Sequence, residues 1–214
     1  MLISVDELLI HFKNNFQTKP IKGIIHIGAH KCEEIDDYLK LSVSSNRVIW
    51  FEAQSSLVNK YRQIYPSTQI YQAVLFDVDN QEHNFIITDN GMSSSLLTLK
   101  KHLIEHPWVH EIRCEKVRTI TFKTFIDEHK IDIKDYNFAN LDIQGCELHA
   151  LKGMGDYINQ LDYIYTEVNT EELYDNCDLL PNLDAFLAQK GFKQVAIKMT
   201  SHGWGDAFYV RLKN

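Results

Sequence analysis

The chain is poor in the residues that mark cross-linked, repetitive or membrane-bound proteins. It has 9 glycines and 4 prolines in 214 residues, too few for a collagenous or linker-rich chain. Its four cysteines, Cys32, Cys114, Cys146 and Cys177, form no CxxC pair and lie far apart, which suits reduced thiols better than a disulfide frame or a zinc site. Nowhere do ~18 apolar residues follow one another, as a membrane-spanning helix requires. The opening MLISVDELLIHFKNN carries Asp6, Glu7, His11 and Lys13, so it lacks the unbroken apolar centre of a secretory leader. Basic residues are outnumbered, 22 against 29 acidic ones, and the net charge is -7. Scattered Lys and Arg cannot displace counterions from nucleic acid or an anionic membrane, so neither is expected as a partner. A cytoplasmic location is the expectation.

What the chain does have is 44% hydrophobic residues, enough for one sizeable core. Val5, Leu8, Leu9, Phe12 and Phe16 recur at helical spacing, so residues 1–22 are read as an N-terminal helix, at about 4–16, packing on a single domain of residues 23–214. GIIHI (23–27), RVIWFE (47–52) and TQIYQAVLF (68–76) read as buried strands, with helices at about 32–41 and 57–64 between them. Strands separated by helices indicate a parallel sheet with right-handed crossovers. The middle breaks the rhythm: DVDNQ (77–81) suggests a hairpin or bent strand joining LFDV to HNFIIT, and EIRCEKVRTITF (111–122) alternates as a strand before a short helix at 121–129. The alternation then resumes with YNFANLDI (136–143), a helix through Leu148 and Leu151, LDYIYTEV (161–168), a helix at about 181–190, and strands at 192–199 and 206–212.

In such a sheet the first strand-to-helix turn is where a ligand is sought. Here it reads IIHIGAHKCEE. A dinucleotide fingerprint would place glycines at 28, 30 and 33, but the chain has Gly28, His30 and Glu33, an arrangement hostile to a pyrophosphate. A sulfonium ligand without phosphate tolerates it. Glu52, ending the second strand 24 residues after Gly28, is placed to accept bonds from both hydroxyls of a ribose.

Further stretches carry a family resemblance from about Gly23 to the end: VIWFEAQSSLVNKY, AVLFD, NGMSSSL, FANLDIQGCELHALKG, YIYTEVNTEELYD and GDAFYVR. With them the chain resembles the FkbM-type methyltransferases, which use S-adenosylmethionine; LDIQGCELHALKG is the most specific match. The resemblance implies an α/β, Rossmann-like class I fold: a seven-stranded, mostly parallel sheet with an antiparallel last strand and helices on both faces. It implies O-methylation of a sugar or natural product. It also implies that His26, Gly28, Ala29 and His30 line the methionine half of the cofactor, that Glu52 holds the ribose, and that Ala73 and Val74 flank the adenine. Asp142, with Gln144 beside it, would face the methionine amino group or the acceptor; Gly145 would turn the chain, and Glu147 would anchor that loop or face the substrate. The chain departs from many members at His26, where they carry Asp, at Cys32, where they carry Gly, and at His30, where Asn is frequent.

Methyl transfer to a hydroxyl needs alignment and a proton acceptor. Asp142 and Glu167, at the ends of adjacent predicted strands, and His30, beside the glycine turn, are the candidate catalytic groups. His102, His106 and His110 fall four apart, but Pro107 interrupts any helix, so a solvated or substrate-facing lid is preferred to a metal site. His202 has no assigned role. Ser93, Ser94 and Ser95 lie in a polar loop, and Trp108, Tyr174 and Trp204 offer aromatic faces that either stack on a sugar or pack inside. Residues 89–118 and 169–181 are expected to form most of the acceptor site. The expected partners are a small-molecule or glycan acceptor and, compatibly, a second copy of the chain. Two other readings stay open: a nicotinamide-dependent oxidoreductase and a silent binding module of the same fold.

Overall fold

The computed structural model describes residues 1–14 and 19–212. The N-terminal helix α1 spans Val5–Asn14; the predicted stripe residue Phe16 lies outside the described residues. Leu8 of α1 is fully buried and joins the core on one face of the main sheet.

Four apolar stretches become neighbouring parallel strands: β1 (Ile24–Ile27), β2 (Val48–Glu52), β3 (Gln69–Gln72) and, after a long excursion, β8 (Phe138–Leu141). β9 (Tyr163–Asn169) runs parallel beside β8, whereas β11 (Trp204–Arg211) is antiparallel to β9 and to β10 (Phe192–Met199). The seven-stranded order is β10-β11-β9-β8-β1-β2-β3, and the last strand in sequence is the antiparallel one. Every residue of β1, β2, β8 and β9 is buried, because helices cover both faces and leave no polar side to alternate with.

Successive side chains go to opposite faces. Ile25, Ile27, Ile49 and Phe51 meet α5 (Phe122–His129), α6 (Glu147–Gly153) and α7 (Leu180–Gln189). Ile24, Val48, Trp50 and Phe138 meet α1, α2 (Ile35–Lys40) and α3 (Ser55–Ile64). No helix among the described residues is long and apolar enough to cross a membrane.

The region between β3 and β8 corrects two expectations. The nine-residue third strand ends at Gln72, where the Ala73 amide bonds the Glu52 carbonyl at 3.0 Å; β4 (Leu75–Phe76) then leaves the sheet and pairs with β7 (Ile120–Thr121). The hairpin or bent strand expected across 77–81 does not form, since β4 and β5 belong to separate sheets. β5 (Glu82–Thr88) pairs instead with β6 (Glu111–Arg118) as a separate antiparallel ribbon. Between them lie a serine loop and the four-residue helix α4 (His102–Glu105).

Candidate active site

β1 lies between β2 and β8, so strand order reverses at its carboxyl end, and the chain there is tied on both sides. The amides of Gly28 and Ala29 both donate to the Phe51 carbonyl at 2.9 Å, and the Asp142 amide donates to the Ile27 carbonyl at 2.9 Å. Gly28 has φ +96°, and a Cβ there would strike the Asp142 carbonyl. The glycine is required by how closely the β1 and β8 ends pass, which adds a reason to the ligand-approach argument drawn from sequence.

Two clefts open from this point. The first, about 600 Å³ of free space with its mouth, is walled by Phe51, Glu52, Ala73, Val74, Leu75 and Phe85. The second, about 1310 Å³ on the same measure, is walled by Glu33, Glu34, Trp108, Glu167, Tyr174 and Trp204, with His102 of α4 and His106 just after it. They share Gly28, His30, Met92, Asp142 and Gln144. Among the described residues no Lys or Arg lines either cleft.

Glu52 is 6% exposed. Its two carboxylate oxygens accept from the amides of His30 and Gln54, each at 2.8 Å, which fixes the carboxylate at the cleft wall and leaves each oxygen able to accept a further bond. Burial, outweighing those bonds, raises its pKa. His30, at φ 40°, places its ring at the junction and bonds Glu33 at 2.9 Å.

His26 and Ala29 stand elsewhere than the family resemblance implied. His26 belongs to the β1 face beneath α2: its ring stacks on Trp50 at 4.5 Å and lines neither cleft. Asn140 Nδ2 donates to the Tyr38 hydroxyl at 2.7 Å, which leaves that hydroxyl's proton for His26 Nδ1, also at 2.7 Å. His26 Nε2 therefore carries the ring proton and donates to the Gly28 carbonyl at 3.1 Å. Burial lowers its pKa to about 4, so the ring is a neutral prop under the glycine turn. Ala29 is fully buried in the same core.

Beyond β8, Gln144 links the two carboxylates. Its amide Nε2 lies 2.8 Å from Asp142 Oδ1 and 2.7 Å from Glu167 Oε2, while the Tyr174 hydroxyl donates to its Oε1. That third bond fixes the amide orientation, since an oxygen turned toward the carboxylates would repel them. Burial, then the negative charges of Asp142, Glu147 and Asp206, push the pKa of Glu167 well up; burial also raises that of Asp142. Glu147 resolves to loop anchoring: its carboxylate accepts from the amides of Ile143 at 2.9 Å and Gly145 at 3.0 Å. Burial nevertheless lifts its pKa to about 7.

The serines also fasten the loop. Ser94 donates to the Gly91 carbonyl and Ser95 to the Gln144 carbonyl, both at 2.8 Å. His102 and His106 approach at 4.7 Å between ring centroids and His106 and His202 at 5.2 Å, but His110 is apart, its backbone joined to Asp89. Among the described residues no group of three or more His, Cys, Asp or Glu side chains is arranged to hold a metal. Met92 and Phe85 were missed as wall residues, although both lie in stretches singled out by sequence. His202 proves to hold Glu105 at 2.7 Å, a long-range pairing with no local sequence signal.

A family model described as the methyltransferase FkbM domain matches residues 26–193. No curated protein matches the chain. Among solved structures, the chain is similar to a putative tRNA (m1A22) methyltransferase, Sp1610, from Streptococcus pneumoniae, at 10% identity and a TM-score of 0.49, covering 97% of this chain and 72% of that one. It is also similar to a ribosomal protein L11 methylase from Lactobacillus delbrueckii subsp. bulgaricus, at 11% identity and TM-score 0.46 over 97% and 78% of the two chains. A TehB-like methyltransferase from Corynebacterium glutamicum gives 10%, 0.46, 98% and 89% in the same order.

Proposed function

The chain belongs to the FkbM family of S-adenosylmethionine-dependent methyltransferases, and from that premise we propose that it methylates a hydroxyl oxygen of a sugar, glycan or small hydroxylated natural product. The observation that carries this reading is the meeting of the two clefts at Asp142 and Gln144. One cleft has the chemistry of an adenosine site and the other the size and polarity of an acceptor site.

The residues of the first cleft fit the cofactor. A buried carboxylate, Glu52, sits at its end among Ala73, Val74, Leu75 and Phe85, a wall suited to a flat apolar ring beside a vicinal diol. The lack of Lys and Arg along the wall suits a ligand without phosphate. When bound, S-adenosylmethionine supplies an electrophilic methyl carbon on a sulfonium. Glu52 would accept from the ribose hydroxyls, Ala73 and Val74 would flank the adenine, and Asp142, held by Gln144, would face the methionine ammonium. His30 and Gly28 would bound the methionine half at the junction.

On the acceptor side, Glu167 is the group placed to take the hydroxyl proton. It lies in the second cleft beside Asp142, and its raised pKa brings a carboxylate, ordinarily a weak base for an alcohol, closer to the strength the transfer needs. Trp108 and Trp204 offer ring faces on which a sugar can stack, whereas Tyr174, 1% exposed, packs inside against Leu99, Leu173 and Cys177. Four acidic side chains, with no Lys or Arg among the described residues of this wall, disfavour phosphorylated or carboxylated acceptors, so a neutral or amine-bearing acceptor is favoured. Four free thiols, three of them buried, support a reducing, cytoplasmic setting.

Calorimetric titration with S-adenosylmethionine, S-adenosylhomocysteine and NAD tests the cofactor half. Micromolar binding of the first two, weakened at least about tenfold in Glu52→Ala through loss of a charged hydrogen-bond acceptor, is expected. Binding of NAD alone would overturn the assignment. Methyl-label transfer to panels of neutral, amino and phosphorylated sugars tests the acceptor half, with the phosphorylated set expected to be inert.

A further inference from the structure

The β5–β6 ribbon ends in an uncovered strand. Among the described residues β6 pairs only with β5, and six of its eight residues are exposed, with Glu115 and Val117 half-buried. It contains no proline, and its sequence is EIRCEKVR. An edge of this length and openness is a template for another strand unless something blocks it.

The hydrogen-bonding groups of that edge can be assigned from its neighbour. Ile86, opposite Cys114, exchanges both of its backbone bonds with Ser95 on the far side, at 2.8 and 3.0 Å. Ile86 and Cys114 are therefore a non-hydrogen-bonded pair, and the N–H and C=O of Cys114 point away from β5 to the free edge. With period two, those of Lys116 do the same; on the other side the register against β5 shifts at Ile112, which has no partner between Arg113 and Glu111, so the alternation is not carried past Arg113.

From this edge we infer that two copies of the chain associate by antiparallel pairing of β6 with β6 about a twofold axis at Cys114. The twofold requires that a residue either meet itself or meet a residue of the same facing, so only a few registers exist. Centring on Arg113 or on Glu115 sets like charge against like charge. Centring on Cys114 lets the two Cys114 residues exchange both free backbone bonds, and it places Arg113 of each copy opposite Glu115 of the other, twice. It also sets Ile112 against Lys116 and Glu111 against Val117, so the overlap covers residues 111–117 of each strand, with the irregularity of β6 at Ile112 lying away from the centre. Arg113 and Glu115 already meet within one chain at 2.8 Å; in the pair they become a four-charge cluster of alternating sign. Centring on Ile112 also opposes Glu111 and Arg113 but overlaps only three residues of the strand.

The pairing bears on the reaction because both ends of the ribbon carry cleft walls. Met92 and Ser93 follow β5, and Trp108 and Val109 precede β6. Fixing β6 against a second copy would hold those walls in place. The inference stands whichever acceptor is methylated.

Sedimentation equilibrium of the whole protein across the micromolar range tests it. The wild type is expected to approach twice the 25.0 kDa chain mass. Arg113→Glu, which puts four glutamates at the centre, should raise the dimer dissociation constant about tenfold or more. The exchange Arg113→Glu with Glu115→Arg should restore the dimer, as a direct cross-strand pair requires. In addition, a hydrogen-bonded pair sets its Cα atoms ~5.5 Å apart, within the span of a disulfide. Air oxidation with copper–phenanthroline should therefore give a Cys114-linked dimer, absent in Cys114→Ser and reduced in Arg113→Glu. A wild type that stays monomeric throughout, or a dimer equally strong in Arg113→Glu, would overturn the inference. Unchanged circular dichroism and melting of the variants establish that any loss is of association.

Discussion

The cleft beside Glu52 and the cleft beside Glu167 share five residues at their junction and differ in almost everything else. The first is walled by strand ends whose backbone is pinned, with Gly28 and Ala29 on Phe51 and Ala73 on Glu52. The second is walled by loops and by the four-residue α4, held through long-range pairs such as His202 with Glu105. A frame made of buried parallel strands can hold one ligand shape with little freedom, whereas loops hung from it can change without disturbing the core. The division matches a common methyl donor on one side and a particular acceptor on the other.

A substitution at the junction should break both clefts together. Gly28→Ala combines a left-handed backbone, φ +96°, with a Cβ driven into the Asp142 carbonyl, and is expected to cost ~3 kcal/mol or more of stability. Thermal melting and soluble yield measure it; a melting point near the wild type would mean that β1 and β8 can separate cheaply at this end.

Glu167→Gln should separate the clefts. The expected result is a fall of about 100-fold or more in kcat, with the affinity for S-adenosylhomocysteine within about twofold of wild type. In the wild type, activity should rise with pH as the buried Glu167 loses its proton, and the titration should lie above the ordinary carboxylate range because burial and three neighbouring carboxylates raise it. A parallel loss of cofactor affinity would move Glu167 into the first cleft.

The smallest expected effect concerns the loop between them. Burial lifts the Glu147 pKa from 4.5 to about 7, so between those values the folded protein keeps a proton that the unfolded chain releases. Its contribution is therefore favourable below pH 4.5 and is lost as pH rises toward about 7, by ~1–3 kcal/mol. Glu147→Gln should flatten that part of the stability profile in urea unfolding at about pH 5 and about pH 7.5. An identical slope in both proteins would show that Glu147 is ionised throughout.

The contrast between the clefts also explains how far each was legible beforehand. β1, β2 and β8 are buried on both faces and so appear in the sequence as mainly apolar runs, broken inside only by His26 in β1 and Asn140 in β8, and Gly28, Glu52 and Asp142 stand at the ends of those runs. The same rule misled at TQIYQAVLF, where the apolar residues Ala73 to Phe76 after Gln72 concealed the departure of the chain from the sheet at that point. HNFIIT was legible as a strand, but its partner lies beyond the serine loop and α4, and a local turn signal at 77–81 cannot report so distant a pairing. His26 shows a subtler limit. Position on β1 placed it near the glycine turn, but facing decides function, and only the alternation of Ile25 and Ile27 toward the other face assigns it to the core under α2.

For protein engineering, the lie of the proposed acceptor wall is convenient. His106, Trp108 and Val109 all line the second cleft, and all fall within the four residues HPWV that follow α4. One short degenerate oligonucleotide therefore rewrites three wall positions at once while leaving every strand of the main sheet untouched. A small library at this stretch, screened with a fixed methyl donor, is an economical route to new acceptor preferences.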